Sequence, residues 1–382
     1  MSQNLQPDDT AAIETARARP RPQGGGETRS RQGDLVALIG TTTRLFDECL
    51  LPNGALIEAP THLPFYPPGA RDAFRCRPGM LVSFAISAMD ALGRDLRAPL
   101  LRWIRDRAAG FADDGLLRRA YAVHGPVLDA AHDVIGSGLL LWAVNVRPQR
   151  AQNDVAQEVT RGIASALAVR WDGDTFRDHP SADGICRAAE LAAAELGLRA
   201  ASTALEIAEW SRVADGLRQR REEAVGTLSE AAGMISQDER DRLVEAHLAL
   251  AWPCSNDLEM PQAGLVDLAE RAVGLHDRGS EFDHGEDGSP VHLTGLQPAE
   301  LFWLATARAA AGGTEPAEGY YDLGLSLADV DGHFPEAAGH QAVDPFPKPA
   351  LLAHLLFLHA AGALGYLNKI PKSGYTGRRR PA

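Results

Sequence analysis

Cysteine is scarce: Cys49, Cys76, Cys186 and Cys254 are the only four in 382 residues, and they lie far apart. None forms the close pairs of a zinc site, and no dense disulfide framework can be built from them. They read as buried free thiols. Long apolar runs are missing too. No window of about 18 apolar residues exists to cross a bilayer, and the N-terminus lacks the basic stretch and apolar core of a secretory signal. The expected location is cytoplasmic. Positive charge is in deficit, with 38 Lys and Arg against 51 Asp and Glu and a net charge of −13. Such a surface repels a phosphate backbone, so nucleic acid is excluded as a partner. Strand signals are nearly absent. Without strands, no Gly-x-Ser-x-Gly, phosphate-loop or dinucleotide fingerprint finds the strand-turn-helix setting it needs. The sequence calls for no cofactor, and the expected partner is a small-molecule substrate.

What remains is ordinary globular composition, 45% hydrophobic and 23% charged, on a chain long enough for two domains or one large closed architecture. Residues 1–33, with Arg-Pro repeats and Gly24-Gly25-Gly26, are too poor in apolar groups to offset the entropy of ordering and read as a disordered arm. Residues 371–382, ending in Arg378-Arg379-Arg380-Pro381-Ala382, read as a flexible basic tail. Between them, apolar residues recur at three- and four-residue spacing. The pattern predicts twelve helices, near 34–49, 81–93, 96–110, 134–145, 153–169, 184–198, 201–222, 236–251, 262–275, 298–311, 316–329 and 349–365. Short links alternate with long loops rich in Gly, Pro, Asp and His, notably 51–79, 111–133, 170–183, 276–297 and 330–348. Long loops in a compact domain carry function. Six helical hairpins with the elaborate loops gathered at one end describe an all-α, single-domain (α/α)6 barrel over residues 34–370. Asn53-Gly54 predicts a tight turn opening the first long loop, and the rigid aromatic run from His62 to Gly69, which includes Tyr66, suits a pocket rim.

At this point the residues resemble a known family. Leu51-Pro52-Asn53-Gly54-Ala55-Leu56-Ile57-Glu58-Ala59-Pro60-Thr61 is similar to the opening of bacterial members of glycoside hydrolase family 15, the glucoamylase and isomaltose glucohydrolase group. Phe74-Arg75-Cys76-Arg77-Pro78-Gly79-Met80, Ser137-Gly138-Leu139-Leu140-Leu141-Trp142-Ala143 and Gly332-His333-Phe334-Pro335-Glu336 follow in the family's order. The similarity runs from about residue 34 to 365, strong only in these stretches. It implies an (α/α)6 barrel that hydrolyses a terminal α-glucosidic bond with inversion, using two carboxyl groups and no cofactor. In such chemistry one acid protonates the leaving oxygen while a base activates water on the opposite face, the two about 6.5–9.5 Å apart. The resemblance assigns the base to Glu336 and the acid to Asp172, where Arg170-Trp171-Asp172-Gly173 stands for the family's Trp-Glu-Glu. Asp172 is one methylene short, and Asp-Gly is also a turn signal. Glu336 equally fits a surface loop.

The site departs from the family elsewhere. The Arg-Asp pair that grips the terminal sugar is replaced by Gly79-Met80, and Arg71-Asp72 substitutes for it only if the loop shifts register. Ahead of the helix at 134, Asp133 is displaced, and Ile135 and Gly136 offer no side-chain hydrogen bond. Losing such partners removes much of the basis for glucose selection. The substrate-binding candidates are therefore Tyr66, Arg71, Asp72, Arg77, Met80, Asp133, Ile135 and Trp171. Three outcomes follow: hydrolysis of a glycosidic bond, which is the first expectation; a barrel recruited to acid-driven chemistry such as a terpene- or polyene-type cyclase or lyase, with one carboxylic acid as proton donor; or a ligand-binding pseudoenzyme. No metal site is expected, because Pro335 and Gly339 break the helix that would align His333, Glu336 and His340. His354 and His359 lie five apart on an apolar helix and do not share a face, which suits packed histidines.

Overall fold

The structure, a computed structural model, describes residues 25–60, 75–147, 153–177, 184–226, 237–255, 262–273, 297–335 and 350–369. Twelve long helices are arranged as six hairpins, each with an outer and an inner member. The outer helices are α1 (Gly25–Cys49), α3 (Arg97–Arg107), α6 (Asp154–Arg170), α8 (Ala208–Gly226), α10 (Gln262–Val273) and α12 (Thr314–Ser326). The inner ones are α2 (Met80–Ala91), α5 (Val134–Asn145), α7 (Gly184–Leu205), α9 (Gln237–Ala251), α11 (Pro298–Ala310) and α13 (Leu351–Ala363). Each inner helix packs on the next, α2 on α5, then α7, α9, α11 and α13, and α13 returns to α2. The ring closes. This is the all-α (α/α)6 toroid that the periodicity implied.

The inner helices read differently from the outer ones for a physical reason. An inner helix faces the ring axis on one side and the outer layer on the other, so α5 and α13 are buried nearly all round. An outer helix buries only one stripe, as α6 does with Val159, Ile163 and Leu167, and gives the rest to water. Caps set the boundaries. Asn153 accepts the Ala156 N–H at the start of α6, and Pro298 occupies the first turn of α11. At the short-link end, Arg97 is fully buried, with a bidentate pair to Asp90 (2.6 and 3.0 Å) and bonds to the carbonyls of Val144 and Ala143. That guanidinium joins α2, α3 and α5 with its charge fully partnered, which is what makes a buried ion pair tolerable.

Three details differ from the sequence expectations. The first helix begins at Gly25 rather than at 34. The loop 111–133 contains a one-turn helix α4 (Phe111–Asp114) and an antiparallel hairpin, β1 (Arg118–Tyr121) with β2 (Val127–His132). The strands are short and irregular in register, so their alternation is too brief to stand out from the surrounding helical pattern. The Asn53-Gly54 turn is present, closed by the bridge between Leu50 and Leu56. The described residues contain no helix long and apolar enough to cross a membrane.

The tightest inner contact is between α5 and α7. A Cβ on Gly138 would stand 2.2 Å from the Ala193 carbonyl oxygen, and one on Gly197 would stand 2.5 Å from the Gly138 oxygen. Both glycines are required by backbone approach. Gly138→Ala should therefore lower stability by about 1–3 kcal/mol, seen as an earlier urea unfolding midpoint; an unchanged midpoint would contradict this crossing.

Candidate functional site

Every inner helix is entered at its N-terminus from an outer one, so the inner N-termini share one end of the ring, and the site is built there from described residues. The chain leaving α1 turns at Asn53, whose side chain bonds the Val123 carbonyl and the Ala55 N–H. It then presents Glu58, whose backbone oxygen accepts the Leu351 N–H at the start of α13 (2.8 Å). Further on, Cys76 exchanges two backbone hydrogen bonds with Tyr121 of β1 (2.8 and 2.9 Å), which fixes Arg77 just ahead of α2. The hairpin also delivers Asp133. Its N–H bonds the Leu117 carbonyl, and its Oδ1 caps α5 through the Gly136 N–H (2.8 Å).

Arg77 reaches from the start of α2 to Glu245 on α9, its Nη2 paired with Glu245 Oε1. These helices are first and fourth in a ring of six, so the contact crosses the axis. Glu58 Oε1 lies 3.9 Å from Arg77 Nε. The side chains of Glu58, Arg77 and Glu245 keep 20%, 28% and 32% of their surface open although they sit within the ring, which is the signature of a recess. Burial pushes the Glu58 carboxyl above its ordinary pKa, only partly opposed by Arg77 and Arg75. Burial also raises Asp133, against the pull of the Gly136 N–H, Arg119 and Arg77. Desolvation of the charged form dominates in both. Glu245 and Glu58 together hold the Arg77 guanidinium firmly protonated.

Two helical turns along α9, about 10 Å by helix rise, the lumen is floored by aromatics. Trp252 lies 6.0 Å from Phe84, 5.9 Å from Trp142 and 5.2 Å from His359 between ring centroids, joining α2, α5 and α13 across the axis. Trp303 donates to the Trp252 carbonyl (2.8 Å). Trp142, Trp252 and His359 are half-buried. Burial holds the His359 imidazole neutral, its pKa brought down to about 4.

Of the residues singled out from sequence, Arg77 and Asp133 meet at this recess. Met80 does not line it: it is buried in the core with its sulfur 3.8 Å from Arg77 Nη2. Ile135 is half-buried against the same core. Gly79 has a packing cause, because a Cβ there would lie 2.3 Å from Asp133 Oδ2 and 2.6 Å from the Gly136 Cα. The starts of α2 and α5 close together at this point. Asp172 is corrected in its setting. It is exposed, its Oδ1 accepts the N–H groups of Asp174 and Thr175 (both 2.9 Å), and these bonds hold its carboxyl below the usual range. Trp171 packs on Phe176 and approaches Gly216 of the outer helix α8. Arg220 of α8 bonds the Gly173 carbonyl, so this loop leans on the outer layer. A carboxylate so bonded is a turn closure, the environment opposite to that of a proton donor. Glu336, Tyr66, Arg71 and Asp72 lie outside the described residues, as does His340.

Sequence reasoning passed over Glu58, Glu245 and Trp252, and read His359 as a packed histidine. Glu58 stood inside a quoted motif, and its signal was a lone acid in an apolar, proline-bounded run. Glu245 had no signal, since acids are common on mixed helices.

Two other features were weighed. One groove formed by described residues, about 570 Å³, lies outside the ring between α3, α4 and α6, lined by Arg105, Phe111, Asp114, Glu158 and Arg170 among others. It is open surface, and its central acid Asp114 is already engaged by Arg118, His132 and Arg170. Asp329, Asp331 and His333 bring ligand atoms within 4.8 Å of one another, yet Asp329 Oδ1 is occupied by the N–H groups of Asp331 and His333 in an exposed turn. Neither carries the chemistry that the lumen does.

Several solved structures share this architecture. The chain is similar to a glycosidase solved in wild-type form, with a TM-score of 0.61 at 18% identity, over 90% of this chain and 99% of that one. A glutamate-to-alanine variant of a glycosidase, solved in complex with glucose, gives a TM-score of 0.60 at 19% identity over the same shares. A D-mannose isomerase gives 0.53 at 12%, over 90% of this chain and 100% of that one. No protein-family model matches the chain, and no curated protein matches it in sequence. The likenesses establish the fold class.

The raised Glu58 pKa has a defined sign. A carboxyl that binds its proton more tightly folded than unfolded costs stability as pH climbs from the unfolded pKa through the folded one. Glu58→Gln should therefore raise unfolding free energy at neutral pH, with the gain shrinking to nothing as pH falls below the ordinary carboxylate range. Glu245→Gln, which removes the carboxylate paired with Arg77, should instead cost about 1–2 kcal/mol at neutral pH after discounting for partial exposure. Urea denaturation at several pH values separates the two.

Proposed function

We propose that this protein hydrolyses a glycosidic bond at the long-loop mouth of the ring, with Glu58 as proton donor and Glu336 as the base that activates water. The observation that carries the reading is the Glu58 carboxyl. It is desolvated, raised in pKa, open to a recess and set beside the cation that crosses the lumen. A proton donor at near-neutral pH needs a carboxylic acid held protonated, and burial is the ordinary way to achieve it. Asp172, bonded as a carboxylate in an exposed turn, lacks that property.

The base rests on the family-like sequence Phe334-Pro335-Glu336 and on position. Phe334 accepts the Ala350 N–H (2.9 Å), the neighbour of Leu351, which bonds the Glu58 carbonyl. Pro335 thus leads toward Glu336 from beside Glu58. Three-dimensional kinship with glycosidases, one of them solved with glucose, supports a sugar substrate. The charged mouth favours the same class. A polyene entering past Arg77, Glu245 and Glu58 would strip water from charged groups and offer them no hydrogen bond in return, at a cost of several kcal/mol. Hydrolysis is therefore preferred to cyclisation.

In this mechanism Glu58 protonates the departing glycosidic oxygen as the C–O bond breaks. Glu336 takes a proton from the water that attacks the anomeric carbon from the opposite face. The sugar leaves with the water's hydroxyl, and the two carboxyls exchange their proton through solvent. Trp252 and Trp142 supply apolar surface for a sugar ring's face.

The test is a panel of α- and β-linked aryl glycosides and disaccharides with three variants. Glu58→Gln and Glu336→Gln should each lower kcat by about 10²–10⁴-fold, and Glu58→Gln should remove the alkaline limb of the kcat/KM profile. Asp172→Asn should retain kcat/KM within about twofold, well inside one decade. Loss of turnover in Asp172→Asn with full activity in Glu58→Gln would return the acid role to Asp172.

A further inference from the structure

The buried histidine of α13 has no part in the mechanism above, yet it holds the segment that leads to the proposed base. His354 is fully buried one turn into α13. Its Nε2 accepts the Phe334 N–H at 3.1 Å, and its Nδ1 lies 3.0 Å from Thr42 Oγ1 on α1. The acceptor role of Nε2 places the imidazole proton on Nδ1, which donates to Thr42. The ring also packs against Phe334 (4.7 Å between centroids) and His333 (6.1 Å).

Phe334 is therefore held at both polar groups, its N–H by His354 and its carbonyl by the Ala350 N–H. The next free N–H of the same helix start, Leu351, holds the Glu58 carbonyl. One helix N-terminus thus spends its unpaired donors on the two chain segments that bear the proposed acid and lead to the proposed base. Glu336 follows Phe334 by two residues, a covalent reach of about 7 Å.

We propose that His354 is a positioning residue for the proposed site: its neutral imidazole clamps the Phe334 segment to α13 and α1, and so holds the stretch of chain from which the sequence runs on to Glu336. The inference rests on the reading of Glu58 and Glu336 given above. A leucine at 354 would fill the space but leave the Phe334 N–H with no acceptor, a loss the segment relieves by moving. Burial and the neighbouring His333 bring the imidazole pKa down to about 3, so the acceptor persists throughout the working range.

The experiment compares His354→Leu, His354→Gln and the parent by amide hydrogen exchange at Phe334, by kcat and KM, and by melting midpoint. In His354→Leu, exchange at Phe334 should accelerate at least about tenfold, and kcat should fall about 10–100-fold as misplacement of a reacting group requires, with KM changed less than about threefold. His354→Gln, whose Oε1 can accept the same N–H, should recover most of kcat without needing to recover the melting midpoint. Should His354→Leu fail to fold, Thr42→Val, which removes only the partner fixing the ring, should show both effects at smaller size. Faster Phe334 exchange with parental kcat overturns the positioning role, and unchanged exchange overturns the clamp itself. If the parent cleaves no glycoside, the reading beneath fails and takes the catalytic half of this inference with it, while the exchange data still judge the clamp.

Discussion

The contact between Arg77 and Glu245 runs from the first inner helix to the fourth, straight across the ring. The recess at the long-loop end is arranged around that cation. A guanidinium taken partly out of water requires carboxylates around it, and the lumen supplies Glu245 and Glu58, with Asp133 near enough to feel its field. Arg75 acts with Arg77 on Glu58, and Arg119 acts with Arg77 on Asp133, yet desolvation outweighs these charges and keeps both carboxyls above their ordinary pKa.

The architecture divides labour between its two ends. At the short-link end, Arg97 satisfies its hydrogen bonds with Asp90, Asp95 and two helix-terminal carbonyls, and it does nothing but hold helices together. At the long-loop end, Arg77 is less completely paired and remains open to a recess. The same residue type is a strut in one place and an electrostatic centre in the other, and the difference is solvent access. The aromatic floor around Trp252 separates the two ends, keeping the recess shallow and bounded by π faces and the neutral imidazole of His359.

The starts of α2 and α5 also have a packing logic. Gly79 and Gly136 let the first turns of these helices approach until Asp133 Oδ2 fills the space between them, with no room for a side chain at either glycine. Asp172 stands apart from this mouth, in a turn supported by the outer helix α8. The proton-donor chemistry attributed by resemblance to one loop is better served, by environment, from another.

Periodicity was enough for the twelve helices and for their alternation with long loops, because buried stripes at helical spacing survive any choice of neighbour. The same local rules gave the Asn53-Gly54 turn. The brief hairpin of β1 and β2 escaped them, since its stability comes from Cys76 and from its neighbours rather than from its own alternation. Arg77 and Asp133 could be singled out from the motifs around them. Glu58 and Glu245 could not be told from ordinary acids, and Asp172 could not be told from a catalytic one. A carboxyl's protonation state depends on how much water it loses and which charges face it, and both are set by residues dozens to hundreds of positions away. Sequence alone determined that helices would form and in what order, though not their ends, since α1 starts at Gly25 and α7 runs on to Leu205; only the closed ring decided which acids would be dry.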